Sequence, residues 1–178
     1  MLTSMSLPQM NDFSAAQMLP YKGSFDPYKC TDNEIEELFL FTSRRKSLWL
    51  NFLQWRTEIR QLFGDAVFWI NGSFVTIKPD PNDIDVVAIV SKDSYLEGFQ
   101  RDSSKFLSLK TTERKNFDGS NIRVQPYGGL IDSFIVPCDN IDTHDAILKY
   151  WDDCWSTVNS SKGYLHTSNK QKGYLEVR

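Results

Sequence analysis

Two apolar runs, Ala66-Val67-Phe68-Trp69-Ile70 and Val86-Val87-Ala88-Ile89-Val90, constrain this chain more than any other feature. Each is the length of a buried strand and is rich in β-branched or aromatic side chains. Between them lie Gly72-Ser73 and then Asp83-Ile84-Asp85, the aspartates entering the second run. Alternation along a strand places Asp83 and Asp85 on one face. Two carboxylates so placed can hold divalent cations, and a Gly-Ser turn can offer backbone N–H groups to a phosphate. The pattern therefore points to a site for a metal-bound nucleoside triphosphate.

Gly72-Ser73 followed by Asp83-Ile84-Asp85 on a strand resembles the signature of the DNA polymerase beta-like nucleotidyltransferase superfamily. The nearest resemblance is to small, minimal bacterial nucleotidyltransferase-like proteins of toxin–antitoxin or phage-defence type. It covers residues 66 to 90. Where the common pattern has an Arg and a Gly after the Gly-Ser pair, this chain has Phe74-Val75-Thr76-Ile77-Lys78 and then Pro79-Asp80-Pro81-Asn82. The resemblance implies an α/β (α+β) fold, a mixed sheet flanked by helices. It also implies Mg²⁺-dependent transfer of a nucleoside monophosphate from an NTP to a hydroxyl on protein or RNA. Two Mg²⁺ ions, or Mn²⁺ in their place, would sit on Asp83, Asp85 and a third acid from a later strand. Asp132 in Leu130-Ile131-Asp132-Ser133-Phe134 is the candidate, because an acid inside an apolar strand is costly to bury unless paired or metal-bound. Asp118 and Asp139 are rivals beside turn residues. Gly72, Ser73 and Lys78 are the candidate nucleotide-binding residues, Gly72 permitting a close approach.

A second class stays open. The altered loop after Gly72-Ser73 and the absence of an obvious acceptor-binding domain suit an inactive nucleotidyltransferase-fold binding module: an antitoxin, scaffold or nucleotide sensor with a cognate toxin or effector as partner. Trp69 and Tyr127 are candidates for stacking on a base. Arg44-Arg45-Lys46 opens a helix, where positive charge opposes the macrodipole and hints at a nearby anion.

The length suits one domain. Residues 1–30 read as an extended arm and residues 31–178 as the domain. A formal net charge of −3 gives no global attraction to nucleic acid. Cys30, Cys138 and Cys154 form no zinc or disulfide pattern, so reduced thiols in a cytoplasmic protein are expected. His144 and His166 have no metal or triad spacing. Neither a signal peptide nor a membrane-spanning run is read.

Thr31-Asp32-Asn33-Glu34 has the form of a capping box. A long helix is expected from Thr42 or Ser43, with Leu48, Phe52, Trp55, Ile59 and Leu62 on its buried face and Gly64 at its end. Short helices near 95 and 106, strands over 122–125 and 130–136 with a Gly128-Gly129 turn between them, and a last helix over 143–158 follow. Ile147, Trp151, Trp155 and Val158 mark the expected inner face of that helix. Lys162-Gly163-Tyr164-Leu165 and Lys172-Gly173-Tyr174-Leu175 repeat a word, as hairpin arms or by coincidence.

Overall fold

The structure is a computed structural model and describes residues 7–9, 13, 18–158 and 171–178. The capping box at Thr31 forms: its hydroxyl accepts from Glu34 N at 3.3 Å, and Glu34 accepts from Thr31 N at 2.8 Å. It starts α1 (Asp32–Phe39). Thr42 caps α2 (Ser43–Phe63), and Gly64 ends it at φ 78°. The expected stripe of Leu48, Phe52, Trp55, Ile59 and Leu62 is buried. Burying two indoles in this helix requires partners for their N–H groups. Trp49 donates to Glu36 and Trp55 to the Leu109 carbonyl, which ties α2 to both of its neighbours.

The two apolar runs become β2 (Ala66–Asn71) and β3 (Ile84–Val90), antiparallel neighbours at the centre of a five-stranded mixed sheet. Its order places β1 (Tyr28–Lys29) beside β7 (Leu175–Val177), then β2, β3 and β6 (Ile131–Pro137). β6 runs parallel to β3, and the crossover carries α3 (Lys92–Arg101), α4 (Ser103–Ser108), a hairpin of β4 (Thr112–Lys115) and β5 (Asn121–Val124), and the single turn α5 (Pro126–Gly129). Phe68, Ile70, Val86 and Ala88 pack with α1, α2 and Phe106 on one face. Trp69, Val87, Ile89 and Val136 pack with Leu148 and Trp155 of α6 (Ala146–Ser156) on the other. The molecule is thus a mixed α/β sandwich.

Several expectations shift. The last helix begins at Ala146, capped by Asp145, because a 3-10 turn at Ile141–Thr143 and a left-handed His144 (φ 50°) precede it. Its buried face is Leu148, Asp152 and Trp155, whereas Ile147 is exposed. Asp152 is buried because Ser24 Oγ, Phe25 N and the Tyr174 hydroxyl all donate to it. The first Lys-Gly-Tyr-Leu word and His166 lie outside the described residues; the second leads into β7. In the N-terminal arm, Leu19 is buried and Tyr28–Lys29 pair with β7.

Arg45 reverses its expected role. It is wholly buried, and its guanidinium donates to the carbonyls of Phe39, Ser73, Phe74, Thr76 and Lys78 at 2.6–3.3 Å. It also lies 4.3 Å from the Phe41 ring centroid and 5.4 Å from that of Phe74. Burial pulls its pKa down to about 10, opposed by Asp80, which still leaves it charged at neutral pH. Arg44 joins it by donating to the carbonyls of Pro81 and Asn82. The anion expected near these bases is thus a set of backbone carbonyls.

Arg45→Ala should lower unfolding stability in urea by about 3 kcal/mol or more, since five carbonyls lose their donor, those of Phe39 and Phe74 in buried hydrogen bonds. Arg45→Lys should recover little, having a point charge in place of a planar fork. Burial, with Glu34, Asp32 and Glu176 around it, pushes the Cys30 thiol up to about 12. In native protein at pH 8, exposed Cys154 should react first with a thiol reagent, and Cys30 only on unfolding.

Candidate functional site

Three adjacent strands present one row of polar side chains on the α6 face of the sheet. β2 ends at Asn71, which pairs with Asp85 of β3, and Asp85 pairs in parallel register with Asp132 of β6. Neighbouring strands lie about 4.8 Å apart, so the carboxylate-bearing Cα atoms of Asp85 and Asp132 are immediate neighbours. Asp83, two residues before Asp85, has the same parity just ahead of the strand. The row exists because β3 and β6, apolar apart from Ser133, carry their acids at the strand entrances. The sheet covers them no further.

Gly72 shapes the same spot. The chain leaves β2 through a 3-10 turn, Gly72–Val75, with Gly72 at φ 75°. A Cβ there would lie 1.6 Å from Asp85 Oδ2 and 2.6 Å from its Cγ. The Asp85 carboxylate therefore rests on the glycine backbone, in space that any other residue would fill. Ser73 lies in this turn, and its carbonyl accepts from Thr76 Oγ1 at 2.7 Å and from Arg45. Lys78 engages the fold through its carbonyl, held by Arg45, while its side chain is exposed.

The acids already have partners. Asp132 is buried, with 8 % of its surface exposed, and accepts from Thr111 Oγ1 at 2.8 Å and from Arg123 at 2.7 and 2.5 Å. The hydrogen bond to Asp132 raises the Arg123 pKa above its ordinary value against partial burial, and the charges of Asp132, Glu113 and Asp85 add to it. Asp83 accepts from Gln125 Nε2 at 3.1 Å. Among the described residues no three His, Cys, Asp or Glu side chains converge closely enough to hold a metal ion as they stand. The oxygen donors suit a hard divalent cation, carboxylates side by side in register, but the Arg123 guanidinium occupies Asp132 and would have to leave it before an ion could bind there. Arg123 lies on a strand expected over 122–125, but sequence reading did not give that strand its partner β4 and so missed the contact of Arg123 with Asp132.

The other candidates fall elsewhere. Asp118 sits at the hairpin tip bonded to Ser120, and Asp139 accepts from Lys92 N at the far end of β6. Trp69 is buried and donates to Glu176, and the Tyr127 hydroxyl bonds Glu58. Neither is arranged to stack on a ligand at the row. His144 is stacked on Phe25, ring centroids 4.0 Å apart.

The match to one family profile runs over residues 11–178. The chain belongs to DUF6932, a family of unknown function. No curated protein and no solved structure matches it. In this DUF6932 chain the matched region takes in the whole sheet, the Gly72 turn and all three acids.

Gly72→Ala should lower stability by about 1–3 kcal/mol, through the left-handed backbone and the clash with Asp85. In a double-mutant cycle with Asp85→Ala the two costs should be non-additive by at least about 0.5 kcal/mol, measured by urea unfolding.

Proposed function

We propose that this chain is a Mg²⁺-dependent nucleotidyltransferase that moves a nucleoside monophosphate from an NTP to a hydroxyl acceptor on RNA or protein. The observation that carries the reading is the paired register of Asp85 with Asp132 beside a glycine whose missing Cβ makes room for the Asp85 carboxylate. In this reading Asp83 and Asp85 hold Mg²⁺ (or Mn²⁺), and Asp132 joins them once Arg123 leaves it. The bound ion would neutralise the triphosphate and the departing pyrophosphate. The Gly72-Ser73 turn faces the phosphates, and Lys78 supplies a solvent-side charge. The acceptor oxygen bonds to the α-phosphorus as the bond to the bridging oxygen breaks. Pyrophosphate leaves, and the hydroxyl proton passes to Asp132.

A second reading has its own support. Arg123 and Gln125 already satisfy Asp132 and Asp83, as suits a nucleotidyltransferase fold acting as an antitoxin, scaffold or nucleotide sensor with a toxin or effector as partner. The clustering of acids favours the enzyme, since a silent site has no need of half-buried Asp83 and Asp85 beside buried Asp132. A cytoplasmic setting belongs to both readings. Among the described residues no helix is long and apolar enough to cross a membrane.

Thermal unfolding with each NTP separates the enzyme from an antitoxin or scaffold, and release of pyrophosphate separates it from a nucleotide sensor. The enzyme predicts Mg²⁺-dependent stabilisation by one or more nucleotides, by about 2.7 kcal/mol at a hundredfold excess over Kd, lost in Asp83→Asn/Asp85→Asn. No shift with any nucleotide, the protein remaining folded, would sink it.

A further inference from the structure

The segment from Met18 to Pro27 crosses the molecule without forming a helix or a strand, and it is fastened at both ends and in the middle. At one end Met18 forms an isolated antiparallel bridge with Thr76. Thr76 belongs to the loop that Arg45 clamps. Its carbonyl accepts from Arg45 at 2.6 Å, and its hydroxyl donates to the Ser73 carbonyl at 2.7 Å. In the middle, Leu19 is buried and its carbonyl accepts from Gly173 N at 2.8 Å. A Cβ on Gly173 would lie 2.6 Å from the Pro20 carbonyl oxygen and 2.6 Å from the Tyr28 ring, so the segment rests directly on that glycine. At the other end Ser24 Oγ and Phe25 N donate to the Asp152 carboxylate at 3.0 and 3.1 Å, and the Tyr174 hydroxyl joins them at 2.7 Å. Asp152 is buried and makes no ion pair among the described residues, so these neutral donors hold its charge.

The fastening at Asp152 is also strained. Phe25 and His144 both have left-handed backbone, at φ 55° and φ 50°, and their rings stack 4.0 Å apart with planes 8° from parallel. A bulky residue keeps that conformation only where its surroundings impose it. Here they are the ring stack and the bond from Phe25 N to Asp152. We propose that residues 18–27 are a releasable strap, latched on Asp152, whose closure steadies the loop from Ser73 to Asn82 beside the carboxylates. Opening relieves the strain at Phe25 and lets water replace Ser24 and Phe25 on the Asp152 carboxylate, which offsets the bonds that closure makes. Lys22, Ser24 and Asp26 are exposed, as suits a segment that opens without the rest of the fold. The bridge to Thr76 carries the effect to the loop, because Thr76 holds Ser73 and shares the Arg45 guanidinium with the carbonyls of Phe74 and Lys78. The strap thus alters order at the Gly72-Ser73 turn without touching an acid, whatever the row binds.

The test is amide hydrogen exchange of the full chain, read by mass spectrometry, in wild type, Ser24→Ala and Gly173→Ala. Ser24→Ala removes one latch bond at an exposed position, where the fold tolerates the change. Gly173→Ala acts at the middle fastening, its Cβ pressing on the Pro20 carbonyl and the Tyr28 ring. In both variants exchange should accelerate at least about fivefold over residues 18–28 and in step over residues 73–78, as expected when a bond that holds a local closed state is lost. Residues 84–90 of β3 should exchange as in wild type. Acceleration confined to the strap in Ser24→Ala would overturn the coupling to the loop. Unchanged exchange in both segments would show that Asp152 is no latch. Equal acceleration in β3 in Ser24→Ala would show that the strap opens only when the whole fold does, which would also overturn the proposal.

Discussion

Everything at the candidate site depends on one buried guanidinium. The segment from Ser73 to Asn82 has no strand or long helix to satisfy its backbone, and it must cross from the end of β2 to the start of β3 beside the carboxylates. Arg45 supplies donors to four carbonyls of this segment and to Phe39, and Arg44 secures its last two residues. A cation without a carboxylate partner is costly to bury, and five carbonyl dipoles with two aromatic faces offset that cost. The long helix α2 therefore does more than cover the sheet. Its first turn holds the loop that lies next to the site.

The carboxylate row then follows from register. Because β6 runs parallel to β3 with Asp132 opposite Asp85, a slip of one residue would send the acid to the α2 face, into the apolar core. The packing of Phe52 and Trp55 of α2 on Phe68 of β2 thus also determines which face carries the acids. Gly72 completes the arrangement by yielding its side-chain volume to Asp85. Arg123 supplies one positive charge, paired with Asp132, to a row of three carboxylates.

Much of this was legible in the chain. The capping box at Thr31, the stripe from Leu48 to Leu62, Gly64, the two central strands and the strand bearing Asp132 are all local patterns, and each formed within a residue or two of expectation. Asp85 and Asp132 were singled out because acids stand out against apolar runs. What escaped depends on long-range partners. The Arg45 clamp cannot be told from an exposed basic helix start until the loop is folded onto it. Asp152 reads as one more polar helix residue until Ser24, Phe25 and Tyr174 surround it. The strand carrying Arg123 was expected over 122–125, but its partner is β4 and not the strand beyond Gly128-Gly129, and β4, exposed along nearly its whole length, had no apolar alternation to mark it. The start of α6 moved for a local reason, the left-handed His144.

The central claim is that the row is a cation site in which Arg123 now occupies Asp132, and Mn²⁺ binding followed by electron paramagnetic resonance tests it directly. Titration of wild type, Arg123→Ala and Asp85→Asn/Asp132→Asn, each checked for folding, would be compared. The account predicts tighter Mn²⁺ binding in Arg123→Ala than in wild type, and its loss in the double Asn variant. Equal or weaker binding in Arg123→Ala, or binding that survives the Asn substitutions, would contradict it.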